Sequence, residues 1–332
     1  MKRLSRTAMF LAIVCLVPAS SDAKDRKFRF LAIGDLPYDA AQVILLDQLV
    51  KQSQKEPFEF LMHVGDIQGG GIPCTDAAAT SIRDLFRKYP KPVVYTPGDN
   101  EWTDCVVNGD DPIERLANLR KLFFADKKTL RLDKLGVVRQ SRHEKYAKYV
   151  ENYRFTKSGV LFVVAHVVGS NNNYKPNDPK SMKEFTERNA ANLAFLKESY
   201  AEAARADVRG VALVIHANPD FEMGAGEGFK DFLASLRGFL SGYSRPVVCI
   251  HGDSHYYRID KPFKDANGKT FLGFTRIEVF GSPNVAGLII NVDPDDPQIF
   301  STRPYYLKIK PELKIKPELK IKPELKIKPE TK

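Results

Sequence analysis

Long apolar runs are scarce in this 332-residue chain. The one of note, Ala8–Val17, follows Lys2, Arg3 and Arg6 and precedes the small-x-small pattern Ser21-Asp22-Ala23. It is too short to cross a bilayer comfortably. A basic start, a short apolar stretch and such a site together read as a cleaved secretory leader over residues 1–23, a retained anchor being the alternative. Cys15 lacks a lipidation context, because Val14 stands where a small residue is expected. No other segment is long and apolar enough to be transmembrane, so the mature protein is expected outside the cytoplasm, secreted or periplasmic. Cysteine is also sparse, at four residues, and tryptophan occurs once, at Trp102. Linkers are missing altogether: no Ser/Gly- or Pro-rich stretch divides residues 24–306, which suffice for one large domain with a sizeable core.

The body also lacks an excess of charge. The formal net charge is +10, but nine Lys against four Glu sit in the final segment, where LKIKPE repeats four times from Leu307 and ends in Thr331-Lys332. The leader holds more of the excess, and the remaining body is close to neutral. Specific nucleic-acid binding is therefore not expected. A proline every sixth residue makes 307–332 a low-complexity tail expected to be extended and disordered. It reads either as a weak tether to an anionic envelope surface or as a repeat expansion without a role.

What the body does have is alternation of strand and helix patterns. FRFLAIGD, FEFLMHVGD and PVVYTPGD are short apolar runs, each closed by Gly-Asp. Helices are expected after the first, with Ala41, Val43, Leu45, Leu46, Leu49 and Val50 apolar, and around Ser81–Lys88 after the second. Asp111-Pro112 opens the next helix as N-cap and first position. ENYRFTKSG and VLFVVAHVVGSNNN form a hairpin-like pair. A long helix is expected from the capping box Ser181–Glu184. GVALVIHANPD and PVVCIHGDSH are further buried strands around a helix (228–240), and TRIEVFGSPNVAGLIINVDP reads as a hairpin. The fold class is α/β with an added β portion at the C-terminal end.

The strands deliver Asp35, Asp66, Asp99, His216 and the group His251, Asp253 and His255 at or just past their carboxyl ends, where open α/β sheets build their sites. One Gly-Asp after a strand is usually a turn. Five such strand ends in order resemble the five blocks of the calcineurin-like metallophosphoesterase superfamily, which includes the purple acid phosphatases: Gly34-Asp35, Gly65-Asp66, Gly98-Asp99-Asn100-Glu101, His216 and Gly252-Asp253-Ser254-His255.

The resemblance implies a four-layer αββα sandwich of two mixed β-sheets flanked by helices. It also implies two divalent ions that generate a hydroxide to attack a phosphate mono- or diester. Asp66 would bridge them, Asp35 and His255 would serve the first, and Asp99, His216 and Asp253 the second. Asp99 stands where the family has Asn, and Asp253 where it has His. The oxygen-rich set favours Mn²⁺, Mg²⁺ or Ca²⁺ over Fe or Zn. Pro37 stands where the family has a ligating His; Tyr38 beside it reads either as a substitute ligand or as packing. Asn100 stands where a His or Asp acts on the leaving group, and an amide is no general acid. Glu101 or His251 is expected to substitute, Glu101 equally as a partner to a metal-binding His.

Trp102 is expected as a wall of the cleft or as a structural anchor. A secreted chain favours a Cys74–Cys105 disulfide between two ligand-bearing loops, leaving Cys249 unpaired in a buried strand. The expected activity is that of a metal-dependent phosphoric ester hydrolase, a monomer acting on a small-molecule phosphate ester. The alternative is a metal-stabilised, non-catalytic binding or scaffold protein of the same fold.

Overall fold

The computed structural model describes residues 26–224 and 226–308. The expected leader, and the tail beyond Lys308, lie outside the described residues.

The first half alternates as expected: β1 (Phe28–Ile33), α1 (Ala40–Ser53), β2 (Leu61–His63), α2 (Asp76–Lys88), β3 (Val93–Tyr95) and α3 (Pro112–Phe124). Then come β4 (Val138–Arg139), β5 (Tyr153–Lys157), β6 (Val160–Val164), the single turn α4 (Gly169–Asn172) and α5 (Pro179–Ala203). The chain continues with β7 (Gly210–Val214), α6 (Lys230–Gly242), β8 (Val247–His251), β9 (Arg258–Asp260), β10 (Phe274–Glu278), β11 (Ala286–Val292) and β12 (Phe300–Tyr306).

Two mixed sheets result. The five-stranded sheet has the order β12-β11-β1-β2-β3 and the seven-stranded sheet β4-β5-β6-β7-β8-β10-β9. Strands β1 to β3 run parallel, as do β6, β7, β8 and β10, so their carboxyl ends gather on one side of each sheet. Side-chain alternation sets the layers. In β6, Val160, Phe162 and Val164 join the core shared with the five-stranded sheet, whereas Leu161 and Val163 join a second core with Phe195, Phe232 and Leu236 of α5 and α6. Leu46, Leu49, Phe86, Leu119 and Phe123 of α1, α2 and α3 pack on the first core. The fold is thus helix, sheet, sheet, helix. Aromatic rings fill the space between the sheets: Phe30 stacks on Phe60 at 4.5 Å and meets Phe162 edge-on at 5.6 Å. Such pairs contribute about 0.5–1.5 kcal/mol each beyond the area they bury.

Two expectations change. The segment read as one hairpin is divided between the sheets: β10 lies parallel to β8, and β11 antiparallel to β1. The Gly281–Val285 connection is a crossover that brings Ser282 to the strand ends. Helix α5 begins before Ser181, because Asp178 accepts from the Lys180 N–H and Pro179 takes the first position, the same device that Asp111 and Pro112 use for α3. Val43 is exposed on α1; Leu46, Leu49 and Val50 form the buried stripe, with Gln42 and Ser53 at its ends. Cys249 is free and buried in β8.

Candidate metal centre

Two of the Gly-Asp pairs of the five-stranded sheet follow their strands in a conformation most residues avoid. Asp35 and Asp66 have φ of 52° and 56°, left-handed backbone that Asp tolerates better than most. Close approach explains the glycines. A Cβ on Gly98 would lie 2.1 Å from Asp66 Oδ1, and one on Gly65 would lie 2.6 Å from the Gly98 nitrogen. The third loop can therefore settle on Asp66, whose Oδ1 accepts the Asn100 N–H at 3.1 Å.

The imidazoles come from the other sheet. His216 donates from Nδ1 to the Val64 carbonyl at 2.8 Å, which turns Nε2 onto Asp99 Oδ1 at 2.8 Å, Asp66 Oδ1 at 3.3 Å and Asp253 Oδ1 at 3.8 Å. His255 repeats the device: Nδ1 lies 2.9 Å from the Ser282 carbonyl and Nε2 lies 3.7 Å from Asp35 Oδ1. An imidazole held through one nitrogen is ready to ligate through the other.

Two ligand groups emerge: Asp35, Asp66 and His255, then Asp66, Asp99 and His216, the atoms of each lying within 4.8 Å of one another. Asp66 belongs to both. Asp253 sits at the rim of the second group, where a Cβ on Gly169 would lie 2.5 Å from both Asp253 Oδ1 and Asp99 Oδ1.

The electrostatics show what the cluster lacks. Burial pushes Asp35 up to about 8 and Asp253 up to about 6, and pushes Asp66 well above the carboxylate range. Burial opposes charge on His216, yet Asp66, Asp99 and Asp253 together drive its imidazole well above the ordinary value. Asp99 is desolvated too, but the bond to His216 holds it below its ordinary value. Among the described residues no Lys or Arg pairs with these four carboxylates, whose partners are the imidazoles of His216 and His255. Asp35 Oδ2 is buried without a hydrogen-bond partner, although buried carboxylate oxygens are normally satisfied. Oxygen-rich groups sharing one carboxylate, with an unpartnered oxygen among them, suit divalent cations.

Tyr38 reaches the site despite Pro37. Its hydroxyl donates to Asp66 Oδ2 at 2.8 Å and lies 3.1 Å from His255 Nε2, so it occupies the first group rather than packing away from it. Asn100 donates from Nδ2 to Asp66 Oδ2 at 2.6 Å and to the Tyr38 oxygen at 3.1 Å.

Glu101 stays behind the turn. Its Oε1 accepts from the Tyr95 hydroxyl at 2.9 Å and the Gly98 N–H at 2.6 Å, contacts that brace the turn and include neither of the histidines it was expected to partner. His251 faces away from the centre as well: strand alternation sends its ring to the helix side, 6.0 Å from Phe221, with Nδ1 on the Gly252 carbonyl at 2.8 Å. Trp102 is fully buried between the Arg188 guanidinium and the His166 ring, each 5.4 Å away, and is an anchor, not a cleft wall. The Cys74–Cys105 disulfide joins the loop after β2 to the turn after β3, with Cα atoms 5.7 Å apart.

Sequence reasoning missed Ser170. Its hydroxyl lies 2.8 Å from Asp99 Oδ2 and 2.7 Å from Asp104 Oδ1. It sits in a left-handed run, Ser170 to Asn173, with φ of 48°, 52°, 54° and 59°. Such residues cost about 1–2 kcal/mol each. Buried Arg188 holds the run, donating to Asn172 Oδ1 at 2.6 Å and its carbonyl at 2.9 Å. The available signal was Gly-Ser-Asn-Asn-Asn after a strand, since Asn accepts left-handed backbone.

A two-sheet α/β sandwich with an acidic, imidazole-bearing cluster at its strand ends is the setting of a candidate divalent-metal site. The chain belongs to the calcineurin-like phosphoesterase family, whose sequence profile matches residues 28–257; the family comprises metal-dependent phosphoesterases. No curated protein sequence matches the chain significantly. Similar solved structures include a dimetal phosphatase from Danio rerio at 15% identity and TM-score 0.49, covering 84% of this chain and 99% of that one. They also include GAP50, the anchor in the inner membrane complex of Plasmodium, at 14% identity and TM-score 0.49, covering 86% and 90%. The purple acid phosphatase PPD1 of yellow lupin has 12% identity and TM-score 0.47, covering 84% of this chain and 53% of that one.

Proposed function

We propose that the protein is a two-metal phosphoester hydrolase that works outside the cytoplasm. The observation that carries the reading is Asp66, the one carboxylate common to both ligand groups. Asp35, His255 and the Tyr38 oxygen would hold the first cation beside it; Asp99, His216 and Asp253 would hold the second. Divalent ions in such a pair polarise a phosphoryl oxygen and lower the pKa of water. The chain's own residues do the rest. Val64 and Ser282 carbonyls aim the two imidazoles, the Gly98-Asp99 turn braced by Glu101 presents Asp99, and the Asn100 amide, bonded to Asp66 and the Gln68 carbonyl, holds the shared carboxylate in place. Four Asp carboxylates favour hard cations such as Mn²⁺ and Mg²⁺. The leader-like residues 1–23 and the Cys74–Cys105 disulfide support an oxidising compartment.

The second reading, a metal-stabilised binding protein, draws on the amide at Asn100 and on His251 facing away. Both readings meet one test. p-Nitrophenyl phosphate and bis-p-nitrophenyl phosphate are offered to protein loaded with Mn²⁺, Mg²⁺, Zn²⁺ or Fe²⁺, alongside Asp66→Ala, with metal content measured by elemental analysis. Turnover that disappears together with bound metal in Asp66→Ala is expected. Wild-type protein replete with metal but inert to both esters would leave the binding reading in place.

A further inference from the structure

A general acid must bring a transferable proton to the departing oxygen. The chain has six histidines, all among the described residues, and each is accounted for. His216 and His255 turn Nε2 into the cluster. His63 lies buried behind Asp66, with Nε2 on the Leu36 carbonyl at 3.0 Å and Nδ1 accepting the Gly65 N–H at 3.2 Å. His166 is buried against Glu151 at 3.0 Å, and His251 faces Phe221. His143 is on the surface, 3.4 Å from Glu198. No imidazole remains for a leaving group.

Among the described residues, the other candidates are out of reach or already bonded. The Glu101 carboxylate is buried beneath the turn. Asp104 accepts from the Thr103 hydroxyl at 3.0 Å and shares the single Ser170 hydroxyl, 2.7 Å away, with Asp99. The Tyr38 hydroxyl already donates to Asp66, and as a ligand it would carry no proton. Beside Asp66 stands the Asn100 amide, which donates a hydrogen bond and transfers no proton at neutral pH.

We propose that the site selects by leaving group. It hydrolyses phosphate compounds whose leaving oxygen departs as a stable anion, namely aryl phosphates and phosphoanhydrides, and not simple alkyl esters. The proposal rests on the hydrolase reading above. In the step, the oxygen of water forms a bond to phosphorus while the bond from phosphorus to the leaving oxygen breaks. That electron pair stays on the leaving oxygen, and a proton of the water passes to solvent. The products are inorganic phosphate and an aryloxide or phosphate anion. An alkoxide, being far more basic, leaves much more slowly without a proton than an aryloxide or a phosphate, which needs none.

The test compares kcat/KM of the Mn²⁺-loaded protein for p-nitrophenyl phosphate, phenyl phosphate, pyrophosphate and methyl phosphate, the aryl and anhydride arms separating the two substrate sources. Binding of methyl phosphate is measured in parallel by calorimetry. Methyl phosphate is expected to bind but to turn over more than about a hundredfold more slowly than the better of the aryl and anhydride substrates, the lower end of what a positioned acid supplies. In Asn100→His, the ratio of methyl to aryl turnover is expected to rise at least about tenfold. A wild-type gap below a hundredfold overturns the proposal, with or without the variant. Methyl phosphate that fails to bind also overturns it, since the discrimination would then be recognition. Metal-replete protein inert to every compound removes the hydrolase reading itself, an outcome distinct from a flat leaving-group series.

Discussion

The two sheets equip the centre differently. The five-stranded sheet supplies three carboxylates, Asp35, Asp66 and Asp99, from consecutive parallel strands. The seven-stranded sheet supplies both imidazoles, His216 and His255, together with Asp253. Neither set is complete alone, and the sheets orient each other: the Val64 carbonyl, just past β2, fixes the His216 ring that follows β7. The centre is thus a product of sheet docking, with Asp66 at the seam.

The largest effect that would test this division is expected at Asp66. Asp66→Asn should lose both ions and lower turnover at least about a thousandfold, equivalent to ~4 kcal/mol, whereas His216→Ala and His255→Ala should each lose mainly one ion. Elemental analysis reads the difference. Loss of both ions from either histidine variant alone would abolish the distinction between the two groups.

Next in size is the disulfide, which ties two loops of the carboxylate sheet and touches no ligand of the other. Replacing Cys74 and Cys105 by Ser should cost about 3–4 kcal/mol in the chain-entropy account, measured by urea denaturation. A negligible change would mean that the sheet holds those loops without it.

A third prediction concerns β6, a central strand of the seven-stranded sheet whose end delivers no ligand from its own His166. Burial lowers that imidazole to about 4, with Glu151 opposing the shift. Its folded value lies below its unfolded one, so the unfolded state takes up the proton first, and stability falls as pH drops from about 6.5 toward 4. Between pH 7 and 5 this one group should account for about 2 kcal/mol of lost stability. His166→Asn, which keeps an N–H for Glu151, should flatten the stability curve by that amount; parallel curves for wild type and variant would refute the assignment. The smallest effect is expected at Ser170. Ser170→Ala should weaken metal binding about tenfold through Asp99, measured by competition with a chelating dye, and an unchanged affinity would show that Asp99 needs no such support.

The carboxylate sheet was the more legible of the two. Gly-Asp after an apolar run is a local signal, because the glycine admits a neighbouring loop and, at Asp35 and Asp66, the turn uses left-handed backbone. In the other sheet His216, Asp253 and His255 were legible at strand ends, but neighbouring signals were misleading or absent. His251 and His255 look equivalent in HGDSH, but alternation sends the first ring to the helices, while backbone with φ of 63° turns the second toward Tyr38. Gly281-Ser282-Pro283-Asn284 has the composition of a hairpin turn, and only packing shows that it crosses between sheets. Ser170 came from a polar run with no hydrophobic period to place it. Tyr38 was visible beside Pro37, but whether a phenol reaches the cluster depends on where His255 lies, a contact across 217 positions.

The antiparallel partner of β1 is β11, with Phe28 opposite Val292. During synthesis at about 5–20 residues per second, the first strand therefore waits on the order of ten seconds or more for its neighbour to exist. Throughout that interval an apolar edge, Phe28–Ile33, stands open to any other strand in reach. The order in which the chain is made is thus the reverse of what the sheet needs, and a ribosome stalled before β11 would release a product with an adhesive edge where the finished protein has the middle of a sheet.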